Sequence, residues 1–191
     1  MSNAVFAEKE PFYTYADYKN WELDPGERYE LIDGVAYAMA APNAYHQAIS
    51  MELSAQFHVF LRGKPCKVYP APYDARLFYE EDESDDTVVQ PDITVVCDSM
   101  KRGHEGCRGA PTLVVEIVSP ANSVGEMARK FELYHRAGVC EYWVVYPETK
   151  SVHVHHFENG LITTQIYGVK DTVQVKSLTG LEIALEPAFA E

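Results

Sequence analysis

The chain has 191 residues, of which 47% are hydrophobic and 24% are charged. This length fits one domain with a core that needs no disulfide or metal to hold it, so we expect a single domain over residues 1–191. The 29 acidic residues outnumber the 16 basic residues and give a formal net charge of -13, which argues against a binder of nucleic-acid phosphates because such proteins are usually basic.

Neither membrane insertion nor secretion is indicated by the sequence. No stretch approaches 18 consecutive apolar residues, the length expected of a spanning helix. Residues 1–11 include Glu8, Lys9 and Glu10 and lack the apolar stretch of a secretory signal. We therefore expect a cytoplasmic protein that does not bind membranes.

Four cysteines are spread along the chain, and we expect them to be reduced thiols that are mostly buried. They form no C-x-x-C pair, so neither a zinc ribbon nor a disulfide framework is predicted. The four residues are Cys66, Cys97, Cys107 and Cys140.

The first predicted elements are a short helix and a β-hairpin. Residues 14–23 begin with a capping threonine and carry aromatic residues at roughly helical spacing, and Pro25-Gly26 stops this surface helix. Asp33-Gly34 is the signature of a tight hairpin turn, which joins strands at residues 28–32 and 35–40.

A first main helix is predicted from residue 43 to about residue 62, because apolar residues recur at helical spacing and a glycine follows. Residues 66–69 and 73–79 are typical of strands. The acidic run at residues 80–86 is interpreted as a solvated loop or hairpin tip. Without its six acidic residues the chain still has 16 basic against 23 acidic residues, or a net charge of -7.

The centre of the sheet is predicted at residues 92–97 and 113–118, two short β-branched runs that are almost wholly apolar. The polar, locally basic segment between them, residues 98–111, suits a functional loop at a sheet edge. A second main helix is predicted at residues 124–137, followed by a strand at residues 141–146. A crossover of this length predicts parallel pairing of the strands that it joins.

The C-terminal part of the chain is predicted to be β-structure. Residues 151–157 and 161–167 form a hairpin, and residues 172–184 supply one or two last strands. The hairpins at the two ends of the chain add edge strands that need covering, so we expect a homodimer.

Glu116 is the most informative single residue, because it lies inside a continuous apolar strand. Burying a carboxylate there is costly unless a cation or hydrogen-bond donors meet it. Strand alternation puts Glu116 on the opposite face from Val115 and Ile117. We interpret Glu116 as functional, and the alternative is a structural ion pair with Arg76 or Lys130.

Asp92 and Lys130 are the other two candidates. Asp92 follows Pro91 at the start of its strand, where an aspartate is also common as a turn residue. Its interest rises because Glu116 is expected on the adjacent strand, and two carboxylates with a backbone carbonyl suffice for Mg²⁺. Lys130 lies at the border of the apolar helix stripe and could reach both carboxylates. Its alternative is a surface pair with Glu126, four residues earlier.

Weaker candidates are single residues with no partner in the sequence. His46 falls in the first turn of the first main helix, and Glu30 lies in the first hairpin. His153 and His155 share one strand face, as a metal pair would, but a third ligand is missing. The sequence contains no nucleotide-binding glycine loop and no G-x-S-x-G elbow.

Six features together resemble one known family. They are YELIDG at residues 29–34, His46 on the first main helix, PDITVV at 91–96, LVVEIVSP at 113–120, KFELYHRAG at 130–138 and EYWVVYPE at 141–148. Over about residues 14–185 the chain resembles the Uma family of endonucleases, within the PD-(D/E)xK restriction-endonuclease-like superfamily. The resemblance implies a core of helix, mixed sheet and second helix.

The resemblance also implies roles for particular residues. Asp92 and Glu116 correspond to metal ligands. The superfamily lysine stands two residues after the glutamate, but Val118 occupies that place here, and the family's lysine on the following helix corresponds to Lys130. The family often has an aspartate four residues before that lysine, where this chain has Glu126, which keeps the charge and lengthens the reach.

Taken together, the sequence predicts an α/β (α+β) fold with a restriction-endonuclease-like core at about residues 43–146. A mixed β-sheet is flanked by two main helices, with extra N- and C-terminal β-hairpins. The predicted function is a Mg²⁺-dependent endonuclease acting on DNA, with Mn²⁺ as a substitute ion. Asp92, Glu116 and the carbonyl of Ile117 hold the ion, Lys130 positions the attacking water, and His46 contacts the ligands or the phosphate.

Two other functions are consistent with the acidic composition. The first is a non-catalytic binding or regulatory protein on the same fold. The second is a metal-dependent hydrolase of a small phosphorylated or other non-nucleic-acid substrate, for which a negatively charged exterior is no obstacle.

Overall fold

Two six-stranded β-sheets and two long helices dominate the computed structural model, which describes residues 11–120 and 122–190. The helices are α1 (Tyr15–Tyr18), α2 (Ala44–Leu61) and α3 (Val124–Ala137). The strands are β1 (Tyr29–Ile32), β2 (Val35–Ala38), β3 (Lys67–Pro70), β4 (Ala75–Arg76), β5 (Val88–Val89), β6 (Ile93–Val96), β7 (Arg102–Gly103), β8 (Gly106–Arg108), β9 (Leu113–Ile117), β10 (Glu141–Tyr146), β11 (Ser151–Glu158), β12 (Leu161–Gly168), β13 (Thr172–Gln174) and β14 (Glu182–Ala184). Short 3₁₀ turns cover Ser99–Lys101 and Pro187–Phe189.

The strands pair into one sheet near the N-terminus and one central sheet. The first sheet has the order β2-β1-β5-β4-β8-β7, and the central sheet has the order β12-β11-β10-β9-β6-β3. β9 and β10 are parallel, as the crossover through α3 predicts, while β6 is antiparallel to β9. The two strands β13 and β14 form a separate hairpin.

Strand alternation in β9 assigns its side chains to two different layers. Leu113, Val115 and Ile117 belong to the core that contains α2 and the C-terminal hairpin. Val114 packs instead with residues of α3 and of the first sheet. Glu116 shares the face of Val114, so its carboxylate points into the layer between the central sheet and α3.

The two long helices begin and end where the sequence predicts. The Asn43 side chain accepts a hydrogen bond from the His46 N–H at 2.8 Å and so caps α2, while Ser123 caps α3 by accepting from the Glu126 N–H at 3.1 Å. Gly138 ends α3 in the left-handed region, with φ of 86°. These caps fix the start of α2 at His46 and the position of Lys130 along α3.

Two predicted elements are shorter in the structure than in the sequence analysis. α1 covers four residues rather than residues 14–23, and the amide of Asn20 donates to the carbonyl of Ala16 at its C-terminal end. The strand predicted at residues 73–79 is reduced to β4, and its Arg76 forms a buried ion pair with Asp85 in the segment that joins β4 to β5. Asp85 is 4% exposed, so the acidic segment is not simply a solvated loop.

The expectation of four reduced cysteines is wrong for two of them. Cys66 and Cys97 form a disulfide with an S–S distance of 2.07 Å. The antiparallel register of β3 and β6 pairs Lys67 with Val96, which brings the cysteines opposite each other at the strand ends. Cys107 is a buried free thiol and Cys140 an exposed one.

The structure bears on the expected absence of a membrane-spanning helix, but it does not bear on the expected absence of a secretory signal. Within the described ranges, no helix has both the length and the apolar character needed to cross a membrane. The expectation about a secretory signal concerns the first eleven residues, of which residues 1–10 lie outside the described part of the chain.

Candidate active site

Lys130 lies at the centre of a buried charge cluster where β1, β9 and α3 meet. Its Nζ donates hydrogen bonds to Oε1 of Glu116 at 2.9 Å and to Oε1 of Glu30 at 3.1 Å. Tyr134, one turn further along α3, donates from its hydroxyl to the same Glu116 oxygen at 2.5 Å. The backbone N–H of Gln90 donates to Glu30 Oε1 at 3.0 Å. The cluster thus joins the first sheet, the central sheet and the second main helix.

Burial and charge set the protonation of this cluster. Glu30 and Lys130 are each 4% exposed, and Glu116 is 7% exposed. The pKa of Glu116 is raised to about 7, and burial is the largest cause. The charge of Lys130 lowers this pKa, but only in part, because the charges of Glu30 and Asp92 raise it further. Burial opposes the charge of Lys130, but the two carboxylates prevail and raise its pKa, so its ammonium stays protonated.

Asp92 and His46 form a second pair beside this cluster. Ile93 pairs with Val115, so the next position of the register brings Asp92 opposite Glu116. Oδ2 of Asp92 lies 3.2 Å from Nε2 of His46 and accepts the Ile117 N–H at 2.7 Å.

His46 is held between opposing influences. Its burial lowers the pKa of the imidazole, but the hydrogen bond and the charge of Asp92 outweigh burial and raise the pKa above its ordinary value. Nδ1 of His46 is buried and has no hydrogen-bond partner among the described residues. Nε2 of the ring thus faces Asp92, Nδ1 is enclosed by protein, and the backbone of Ile117 also raises the pKa of the imidazole.

The charge cluster around Lys130 and the pair of Asp92 with His46 line the same cavity, which has a volume of about 300 Å³. Its charged walls are Arg28, Glu30, Asp92, Glu116, Glu126, Arg129 and Lys130, and it also includes His46, Gln90, Ile117, Ser119 and Asn122. Arg28 is half-buried, and Arg129 is exposed with its guanidinium 4.5 Å from the centre of the Tyr37 ring. Neither arginine forms an ion pair within the described part of the chain.

The alternatives from the sequence have clear outcomes for the ion pairs. Lys130 points inward to Glu116 and Glu30 and does not pair with Glu126. Glu126 accepts a hydrogen bond from the Asn122 side chain at 2.7 Å instead. Arg76 pairs with Asp85 and does not reach Glu116. The ion pair between Glu116 and Lys130, which was the structural alternative, is present within the cavity itself.

Four residues at the site were missed by the sequence analysis: Tyr134 contacts Glu116, and Gln90, Arg28 and Arg129 line the cavity. Tyr134 could have been found, because it lies four residues after Lys130 on the same helix face. Gln90 immediately precedes Pro91-Asp92, but its contact with Glu30 depends on the pairing of distant strands. Arg28 and Arg129 are charged residues at exposed or half-buried positions, and nothing in their local sequence marks them.

The donor set fits a hard divalent cation. Three carboxylates, of Glu30, Asp92 and Glu116, line the cavity, and they outnumber the one ammonium of Lys130, which pairs with Glu30 and Glu116 while Asp92 pairs with His46. Oδ1 of Asp92 takes part in none of the side-chain hydrogen bonds found in the described ranges. No three His, Cys, Asp or Glu side chains there converge as a metal site, so a backbone carbonyl or water would have to complete the ligand set.

The histidine pair on β11 lies apart from this cavity. His153 packs against Tyr146, and His155 packs edge-on against Phe131 and accepts or donates a hydrogen bond with Thr164 at 2.8 Å. Neither residue lines the cavity that contains Asp92. These contacts are those of side chains that pack the sheet face.

Comparison with known proteins confirms the resemblance and the fold class. The family model described as "Uma2: Putative restriction endonuclease" matches residues 15–186. The "Uncharacterized protein slr1290" of Synechocystis sp. is 28% identical over 175 residues, which cover 91% of this chain and 89% of that protein. A crystal structure from Anabaena variabilis, described as "a putative nuclease belonging to DUF820", has a TM-score of 0.73 at 19% identity and covers 93% of this chain and 97% of that one.

Proposed function

The chain belongs to the Uma2 family of restriction-endonuclease-like proteins, and on that premise we propose that it is a metal-dependent endonuclease that hydrolyses phosphodiester bonds in DNA. The observation that carries the proposal is that one cavity is lined by the carboxylates of Glu30, Asp92 and Glu116 and by one buried ammonium, which pairs with Glu30 and Glu116. Excess buried negative charge of this kind is stable when a cation completes it. At a scissile phosphate, a bound divalent cation stabilises the charge that develops in the transition state.

Asp92, Glu116 and the carbonyl of Ile117 are the groups that would hold the ion, with Mg²⁺ as the expected ion and Mn²⁺ as a substitute. Mg²⁺ takes few protein ligands and keeps several waters, which suits two carboxylates and a carbonyl. When bound, the ion would polarise a phosphate oxygen and lower the pKa of a coordinated water.

Lys130 serves this site as a fixed positive charge. Its pKa is raised by Glu116 and Glu30, so it donates hydrogen bonds and does not accept a proton. The two carboxylates hold its Nζ in place, which lets the ammonium orient a water or a phosphate oxygen without a change of rotamer. Tyr134 limits the movement of the Glu116 carboxylate by donating to it.

Arg28 and Arg129 are proposed contacts for the phosphates that flank the scissile bond. Both line the cavity, and neither is paired with a carboxylate in the described part of the chain. A guanidinium presents a planar fork of donors that matches a phosphate group. These two residues supply positive charge at the one place where an acidic protein needs it.

The nuclease proposal is tested by cleavage of supercoiled plasmid in Mg²⁺ or Mn²⁺. We expect nicking by the wild-type protein and none by Asp92→Ala, while Asp24→Ala, an exposed carboxylate outside the cavity, nicks at the wild-type rate. Equal nicking by Asp92→Ala would show that the activity comes from elsewhere.

A non-catalytic binding protein is the second candidate, favoured by the net charge of -13. Titration calorimetry with Mn²⁺ separates the two functions. An endonuclease site should bind Mn²⁺, and Glu116→Ala should lose that binding. Wild-type protein that binds no Mn²⁺ and nicks no plasmid would favour the non-catalytic protein.

We also propose a homodimer and a cytoplasmic location. The edge strand β12 carries no charged residue and exposes Leu161, Ile162 and Ile166, which suits pairing with a second copy. Light scattering should give twice the chain mass, and Ile166→Lys should shift it to the monomer. The location has a feature against it, since disulfides such as Cys66–Cys97 are rare in the cytosol.

A further inference from the structure

A second cavity, of about 450 Å³, adjoins the charged one. The two share His46, Ser119 and Asn122 as a common wall. In contrast to the first cavity, the second is lined by Tyr45, Val118, Tyr146 and Pro147, and Glu148 is its one acidic residue. A charged compartment and a mainly apolar, aromatic compartment therefore lie side by side.

This division matches the two parts of a nucleotide. A phosphate needs cations and hydrogen-bond donors, which the first cavity supplies through Arg28, Arg129 and Lys130. A nucleobase needs a flat apolar wall, and tyrosine rings stack on every base irrespective of sequence. Tyr45 and Tyr146 both line the second cavity and supply the aromatic side chains that a base could stack on.

The wall between the cavities is already held in place by internal hydrogen bonds. Oδ1 of Asn122 accepts the Ser119 N–H at 2.7 Å and the Ser119 hydroxyl at 3.0 Å, and its Nδ2 donates to Glu126 at 2.7 Å. The Val118 N–H donates to the Val145 carbonyl at 2.8 Å. A ligand that spans both cavities would thus meet a formed wall, and little ordering would oppose its binding.

We propose that the second cavity is a nucleobase subsite, so that the substrate is DNA with an unpaired nucleotide beside the scissile phosphate. The proposal rests on the nuclease function proposed above and narrows its substrate. A base inside a duplex is stacked on both sides and enters a protein cavity only after leaving the helix. A single strand or an unpaired region presents such a base at lower cost.

The net charge of the molecule agrees with this substrate. A protein with a charge of -13 gains little from following a long duplex, whose two phosphate strands carry the highest charge density. Stacking of a base does not depend on net charge. A substrate held by one stacked base and few phosphates therefore suits this chain better than an extended duplex does.

Fluorescence anisotropy with a labelled 12-nucleotide single strand and the duplex of the same sequence tests the proposal. Ca²⁺ replaces Mg²⁺ so that no cleavage accompanies binding. We expect the single strand to bind wild-type protein at least tenfold more tightly than the duplex. This comparison needs no variant, so it stands even if a substitution in the cavity disturbs folding.

Variants then locate the base. Tyr146→Leu should weaken single-strand binding by about 5- to 150-fold, the range of about 1–3 kcal/mol for one base stacked on an aromatic ring, while Tyr146→Phe keeps the affinity. Tyr45→Leu should act in the same direction. Tyr167→Leu is the matched control, because this half-buried tyrosine on β12 lines neither cavity. Circular dichroism confirms the fold of each variant.

Three results separate the subsite from the nuclease function. Equal affinity for strand and duplex, or unchanged affinity in folded Tyr146→Leu and Tyr45→Leu, would overturn the subsite even if the plasmid is nicked. Preferential strand binding that Tyr146→Leu abolishes supports it. If that binding is found while no nucleic acid is cleaved, the cleavage proposal fails and the subsite stands as a binding site.

Discussion

The Glu116 carboxylate carries more of the site than any other side chain, because one of its oxygens takes donors from both Lys130 and Tyr134. Each donor stabilises the charged form of a group that burial pushes towards protonation. Removing a donor leaves the buried carboxylate with fewer hydrogen bonds and lowers the free energy of unfolding. The loss should be larger for the charged donor Lys130 than for the neutral donor Tyr134.

Substituting Lys130 by methionine should strongly destabilise the fold. The change leaves Glu116 and Glu30 buried without their cation, and breaking a buried pair in this way costs about 3–5 kcal/mol. Urea unfolding measures the loss, with Lys170→Met, an exposed lysine, as the control. Millimolar Mn²⁺ should restore part of the stability of Lys130→Met, because it can replace the lost positive charge. A variant as stable as wild type without metal would contradict this account.

A pair of neighbouring tyrosines offers a sharper comparison. Tyr134 donates to Glu116, whereas the hydroxyl of Tyr142 is buried with no hydrogen-bond partner among the described residues, and the two rings lie 4.9 Å apart. Tyr134→Phe should cost about 1.5–3 kcal/mol, the usual value of a hydrogen bond to a charged group, because the buried Glu116 oxygen keeps only its bond from Lys130. Tyr142→Phe should cost nothing or stabilise. Equal losses in thermal unfolding of the two variants would show that the hydrogen bond carries no special weight.

For single residues, the sequence identifies a functional candidate when its chemical character differs from that of its neighbours in the chain. Glu116 is conspicuous as an acid in an apolar strand, and Asp92 gains interest from it. Glu30 is unremarkable in the sequence, because its partner Lys130 lies 100 residues away and only the folded chain brings them together. Arg28 and Arg129 are missed for a different reason, because half-buried and exposed arginines occur on most protein surfaces.

Among the elements, β11 concentrates three histidines in one strand, and burial lowers the pKa of each. For His155 the value falls to about 4, first through burial and then through the charges of His153 and His156. An unfolded chain binds a proton at its ordinary pKa of about 6.5. Between pH 6.5 and pH 4 the unfolded state therefore takes up more protons than the folded state.

The sign of this difference predicts acid sensitivity. Because the folded pKa of His155 is lowered, its neutral form stabilises the fold above pH 6.5, and this contribution is lost as the pH falls towards 4. Melting temperatures at pH 7 and pH 4.5 should differ less in His155→Gln than in wild type. His58→Gln, which changes an exposed histidine on α2, should leave the difference unaltered. An undiminished acid effect in His155→Gln would rule out this origin.

Elements with strong local signals are predicted well, and the others depend on tertiary contacts. The bounds of α3 and β10 agree with the sequence to the residue, because α3 has a serine cap and a terminal glycine and β10 is a continuous apolar run. The segment at residues 73–79 alternates like a strand, yet only Ala75 and Arg76 are in β4, and Arg76 pairs with Asp85 nine residues later. No periodicity in the sequence encodes that pair.

On the scale of the whole molecule, the net charge of -13 is expected to repel the phosphates of the proposed DNA substrate. Few cations line the charged cavity, so we expect a weak dependence of DNA affinity on salt. Each phosphate contact on a single strand adds about 0.7 to the slope of log K against log salt. Arg129→Gln should weaken binding to all sequences alike and lower the slope by about 0.7, while the exposed Arg62→Gln changes neither.

The arrangement of the sheets supports the proposal of one domain over residues 1–191. Glu30 belongs to the first sheet and Glu116 to the central sheet, and Lys130 binds both. The predicted mixed sheet between two main helices is confirmed, but the first sheet is more than an added hairpin. Its strands β1 and β2 were predicted as a hairpin and β4 as part of a longer strand, but β5, β7 and β8 were not predicted, because each has only two or three residues.

Alternate side chains of β9 face two different core layers, and this disfavours pairing of β9 with its neighbours in the wrong register. If β9 slipped by one residue against its neighbours, Glu116 would face the apolar layer that contains Phe57 and Trp143, on the side of the sheet away from Lys130. An uncompensated carboxylate there would cost several kcal/mol. Glu116, which is proposed to hold the catalytic ion, would thus also disfavour the wrong register of β9, because its carboxylate can pair with Lys130 only in the native register.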